Sequence, residues 1–181
     1  MGLNASGVVA AVLNRPGSLG PAPGKRSRGE LPLLALEHAS AAAAAAAIVA
    51  LDGHDWRSFN MVITDRSSAW FVRGLGHGAP ETVALPPGLH MVTAHDPNDP
   101  DSPRVARHLP RFQAAPPPKP PDWSAWQALL SDTSGGLAAL NVPAQDGFGT
   151  VCASLTGVPD AGSPVWLFAD GPPDRAAFRR V

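Results

Sequence analysis

A tight turn stands at the head of this chain with almost nothing before it, and that placement constrains the fold more than any other feature. Gly2-Leu3-Asn4-Ala5-Ser6-Gly7 reads as an Asn/Gly turn, and Gly7–Leu13 runs on as a buried apolar strand ending in two polar residues, Asn14 and Arg15. A hairpin turn joins two strands, and an unpaired strand edge at a terminus is a liability. The expectation is therefore a sheet that lacks a neighbouring strand, with the chain N-terminally incomplete. An open edge of that kind predicts self-association.

The gross numbers narrow the function classes. With 181 residues and 44% hydrophobic content the chain can bury one ordinary core. A single domain over 1–181, with a Pro-rich connector at 114–121, is the expected organisation. A formal net charge of -1 without a polybasic run gives no footprint for nucleic acid. The Ala41–Val49 run is apolar but too short for a membrane span. The one cysteine, Cys152, excludes an internal disulfide and fits a reducing, cytoplasmic setting. Flanked by Val151, Ala153 and Leu155, it reads as a small buried hydrophobe in a strand.

Turn and cap signals divide the rest. Ser27-Arg28-Gly29-Glu30 has capping-box spacing, with Ser27 as the cap and a helix onward to about His38. Ala41–Leu51 reads as a second helix, capped by Ser40 and stopped at Asp52-Gly53. Its alanines offer a narrow ridge for close packing on a sheet. Phe59–Thr64, Ala69–Arg73, Glu81–Leu85 and Leu89–Thr93 then form an expected four-strand antiparallel meander. Helices are expected at Arg104–Phe112 and Trp123–Leu130, with Asp122 capping the latter. A helical turn is expected at Leu137–Leu140. Thr150–Leu155, Val165–Ala169 and Ala176–Arg180 complete the pattern as three strands. Helices on antiparallel sheet make this an α+β fold, a layered sandwich.

Few motifs carry chemistry. Gly20-Pro21-Ala22-Pro23-Gly24-Lys25 fails as a phosphate loop, because the glycines are one residue too close and two prolines remove backbone donors. His90, His95, Asp96, Asp99 and Asp101 cluster in sequence, but without calcium-loop or zinc spacing, and read as a loop with Asx turns. No metal site is expected. Asn14 and Arg15, by contrast, sit where a strand end would meet a pocket, and an amide there can either donate to a developing oxyanion or start the loop through a side-chain hydrogen bond.

Taken together, these residues resemble the NRDE family, also called the transport and Golgi organisation family. The match runs from the opening Gly-Leu-Asn block through Asn14-Arg15, then Ser27-Arg28-Gly29-Glu30-Leu31 and Phe59-Asn60. It continues with Leu85-Pro86-Pro87-Gly88, Asp101-Ser102-Pro103-Arg104-Val105 and Gly149–Ser154. The resemblance implies an N-terminal-nucleophile-hydrolase-like α-β-β-α sandwich. It also marks Asn14, Arg15, Arg28, Glu30 and Asn60 as ligand-binding candidates, with Asn14 as an oxyanion contact. The family opens on Met-Cys and an Asn-Arg-Asp-Glu motif that this chain lacks, and Thr93-Ala94 stands where the family has a Ser-Asn pair. Met1 then reads as the internal Met of a longer run, and a non-catalytic body with a small-molecule ligand is the expectation for this form. The alternatives are an amidohydrolase acting on non-peptide C–N bonds once a Cys segment precedes it, and a carrier for haem or an acyl ligand. In the haem case His90 or His95 would be the axial ligands. The alanine run and the many prolines and glycines fit a bacterial gene of high GC content.

Overall fold

Asn4 and Gly7 shape the opening turn. Gly7 takes a φ of 85°, a left-handed conformation that a side chain would strain. The Asn4 side chain closes the turn, Oδ1 accepting from Ser6 N at 3.0 Å and Val8 N at 2.9 Å. Its Nδ2 donates to Leu36 O and His38 O, both at 2.8 Å. Those carbonyls follow the first helix, so one amide fastens the turn to the helix end. At Gly2 a Cβ would lie 2.5 Å from Leu36 Cδ1, so a larger residue would oblige the flexible end of that leucine side chain to move.

The computed structural model describes residues 1–181, which divide into two units, Met1–Ser102 and Pro103–Val181. The fold is mixed α+β, with two antiparallel sheets of five and three strands, as the sequence led us to expect. In the first unit the sheet order is β1 (Gly2–Leu3), β2 (Val9–Asn14), β3 (Phe59–Thr64), β4 (Ala69–Gly74) and β5 (Glu81–Leu85). The opening turn thus does have a strand before it. Gly2 pairs with Ala10 and Leu3 with Val9, which corrects the expectation of an unpartnered turn. From Ala11 to Asn14, β2 has a strand partner on the β3 side alone.

Two helices cover one face of this sheet. α1 (Glu30–Ala35) is shorter than expected, and its capping box is only half formed. Glu30 Oε1 accepts from Ser27 N at 3.3 Å, but Ser27 Oγ accepts from Gly29 N rather than from Glu30 N. α2 (Ala41–Val49) starts at Ser40, whose side chain accepts from Ala43 N as expected of a cap. Ala41, Ala44, Ala45 and Ile48 form its buried stripe, at helical spacing, in one cluster with Val8, Ala10, Met61, Ile63 and Val72. Asp65 links the layers: its carboxylate accepts from Ala41 N, Ser67 N and Ser68 N. Burial raises its pKa, but those three N–H donors outweigh burial and hold the group below the usual carboxylate range.

Leu89–Thr93 is not a fourth strand of the meander. Asn98 draws this segment into a loop, its Oδ1 accepting from Met91 N at 2.7 Å and its N–H donating to Met91 O. The β5 edge is instead left open, with Val83 60% exposed.

The second unit holds α3 (Pro103–Ala114), α4 (Ser124–Leu130) and the sheet β6 (Ala153–Gly157), β7 (Val165–Ala169), β8 (Arg179–Arg180). The 114–121 stretch lies inside this unit. The cap position of α4 is Trp123 rather than Asp122, which instead accepts from Ser124 N at 2.9 Å just ahead of the helix, and Phe112 meets Trp126 edge-on with centroids 5.1 Å apart. His108 is fully buried, its Nε2 on Ala138 O, and burial lowers its pKa so that the ring stays neutral. Cys152 is exposed and precedes β6, contrary to the expectation of a buried strand residue. The cause lies just upstream, where Thr150 bonds Val142 through backbone and hydroxyl and keeps that stretch out of the ladder.

Candidate functional site

Side chains of successive strand residues point to opposite faces of a sheet. At the end of β2 this separates Asn14 from its neighbour Arg15. Asn14 shares the helix-covered face with Val12, Ala10 and Val8, whereas Arg15 lies on the other face with Asn60 of β3. The five candidate residues therefore form not one site but two.

On the open face the centre is Asn60, which is 0% exposed. Its Oδ1 accepts from Arg15 Nη1 at 2.6 Å, and its Nδ2 donates to Thr93 O at 2.9 Å and His95 O at 2.7 Å. Those carbonyls bracket Ala94. Asp96 receives Arg15 Nη1 at 2.7 Å and Arg73 Nη1 at 2.6 Å, and Arg73 Nη2 also bonds Glu81. Burial pushes the Asp96 pKa up, but hydrogen bonds and charge from Arg15 and Arg73 outweigh it, and the carboxyl titrates below its ordinary value. Two guanidiniums and two carboxylates cancel. The network fastens the 93–96 segment across β2, β3 and β4, and every member has a partner.

The helix-covered face is different. Past Asn14 a cavity of about 520 Å³ opens between the 20–22 loop, the 25–29 segment that leads into α1, and Arg57. Four cations line it. Arg26 is paired with Glu30 Oε2 at 2.5 Å and lies 4.7 Å from the Trp56 ring centroid, and Lys25 Nζ donates to His54 O. Arg28 and Arg57 bond no carboxylate. Arg28 Nη1 donates to Ser18 Oγ at 2.8 Å and Ser58 O at 3.0 Å. Arg57 gathers the loop carbonyls, Nη1 on Leu19 O at 2.6 Å and Nη2 on Gly17 O at 2.8 Å. Burial, and after it the charge of Arg57, lowers the Arg28 pKa, though a guanidinium remains protonated. Asn14 is exposed at this cavity with its side chain unpartnered.

Glu30 serves the cavity indirectly, by neutralising Arg26. The Gly20–Lys25 segment that fails as a phosphate loop does form a wall, but its contribution is shape. His90 Nε2 bonds Pro86 O, and His95 Nδ1 lies 3.3 Å from Asp99. No three His, Cys, Asp or Glu side chains are grouped to hold a metal ion. Sequence reasoning missed Arg57, Arg73 and the role of Asp96. Arg73 carried a usable signal, as a charged residue ending an apolar strand, but Arg57 carried none.

A family model described as Transport and Golgi organisation 2 matches residues 1–118, a span that contains every residue of both arginine clusters. No curated protein matches the chain. No helix is long and apolar enough to cross a membrane.

Proposed function

The chain belongs to the Transport and Golgi organisation 2 family, and we propose that its role within that family is to bind a small molecule in the cavity beside Asn14. The observation that carries this reading is an unpartnered polar side chain at a cavity of about 520 Å³, a volume within the usual range for ligand sites. The lining supports binding over acid–base chemistry, since it offers amide, hydroxyl and cationic donors but no carboxylate or histidine. The opposite face is a poorer candidate, because its charges are already paired within the fold, although Arg73 Nε has no partner.

Amide chemical-shift mapping tests the location. With a panel of anionic, neutral and cationic fragments, perturbations should cluster at Val12, Asn14, Ala22 and Gly29. Clustering instead around Phe71, Val83 and Asn98, which line a second cavity of about 470 Å³, would reject it. Self-association through the one-sided edge of β2 is part of the same reading, and sedimentation at rising concentration measures it.

A further inference from the structure

We propose that the Asn14 cavity takes an oxyanion, a carboxylate or phosphate carried on a small organic molecule, gripped by Arg28 with Arg57 adding charge. This rests on the reading of that cavity as the ligand site and adds the chemical class of the ligand.

Three observations carry it. First, the pair is uncompensated. Arg28 and Arg57 line one cavity and their charges oppose each other, while the nearby carboxylate of Glu30 is engaged by Arg26. Like charges in a partly buried concavity are costly unless something negative joins them. The Arg15 and Arg73 pair shows how the same sheet resolves that problem when the anion is its own: Asp96 lies between them.

Second, the free atoms of Arg28 have the required shape. Both protein bonds of Arg28 use Nη1, which leaves Nε and Nη2 without a protein partner. That edge of a guanidinium presents two parallel N–H groups, the geometry that meets a carboxylate or phosphate in two-pronged fashion. Ser18 Oγ itself donates to Arg15 O at 2.7 Å, so the hydroxyl that positions Arg28 is fixed in turn.

Third, Asn14 adds a neutral donor at the same cavity, and the lining holds no carboxylate to repel an anion. Arg57 bonds the carbonyls of Leu19 and Gly17, so its charge is held at the cavity lining.

The experiment titrates benzoate, phenyl phosphate and their neutral counterpart benzamide into the whole chain, following the Asn14 and Arg28 amides by NMR. The anions should bind about tenfold or more tightly than benzamide, with affinity falling as salt is raised. Arg28→Gln should remove about tenfold of the anion affinity, and Arg28→Lys should recover only part of it, because an ammonium lacks the fork. Tight binding of phenyl phosphate alone, or of benzoate alone, supports the proposal and identifies the oxyanion. If benzamide binds as well as the anions, with shifts still centred on Asn14, the location stands and the oxyanion is refuted. If no probe perturbs Asn14, the site reading fails and the inference with it. Should Arg28→Gln fail to fold, Arg57→Gln and the salt dependence of the unaltered chain decide the matter by the same criteria.

Discussion

Two arginine pairs flank the end of β2, one on each face of the same sheet, and they differ in what balances them. Arg15 and Arg73 enclose Asp96 and reach Asn60 and Glu81, so every charge has its opposite within the fold. Arg28 and Arg57 meet only carbonyls, a hydroxyl and each other's field. The first pair is mortar. The second retains unused capacity, and unused capacity at a cavity is what a ligand can take up. Counting arginines near a pocket would not have distinguished them; following each donor to its acceptor does.

The largest effect that can break this comparison lies at Asn60. Asn60→Leu leaves the carbonyls of Thr93 and His95 and one N–H of Arg15 without their buried partner. We expect a loss of about 3 kcal/mol in chemical denaturation. A loss near zero would mean that the open-face network is ornamental and the contrast between the faces false.

Asp96→Asn comes next, at about 1 kcal/mol near neutral pH, a modest figure because the carboxylate is 38% exposed and solvent screens it. The pH dependence follows from the depressed folded pKa. The stabilisation is fully present above the unfolded value of about 4 and is lost as pH falls through the lower folded value. The unaltered chain and Asp96→Asn should therefore differ in stability above about pH 4 and converge in stronger acid. A difference that persists in acid would assign the effect to something other than ionisation.

Arg28→Gln should cost less than about 1 kcal/mol of stability, because the lost hydrogen bonds are offset by relief from the charge of Arg57. Arg15→Gln should cost clearly more, since it strips Asn60 and Asp96 together. Equal losses in the two variants, measured side by side, would erase the distinction between the faces. Ser40→Ala should cost about 0.5–1 kcal/mol through its cap on α2, and serves as the reference for an ordinary structural residue.

Much of the first unit was legible from the sequence because its signals are local. The apolar runs Phe59–Thr64 and Ala69–Arg73 announced β3 and β4, and the Ser40 cap and alanine stripe announced α2. Errors arose where a distant residue overrode the local pattern. Leu89–Thr93 has the composition of a strand, but Asn98 folds it into a loop while Asn60 takes the carbonyls of Thr93 and His95. Cys152 sits in an apolar run, yet the Thr150–Val142 pairing delays the strand until Ala153. The candidate site was half legible. The structure gives Arg15, Arg28, Glu30 and Asn60 protein partners and leaves the Asn14 side chain without one, but their division between two faces, and the closeness of Arg28 to Arg57, were not foreseen.

By itself the sequence determined most of the strands and helices of the first unit, and that Asn14 and Arg15 end an apolar strand, because periodicity, caps and glycine conformations are properties of neighbours in the chain. Only the tertiary structure decided which arginine finds a carboxylate. Charge compensation depends on distances between residues such as Arg15 and Asp96, 81 positions apart, and no local pattern encodes a Coulomb interaction across that separation.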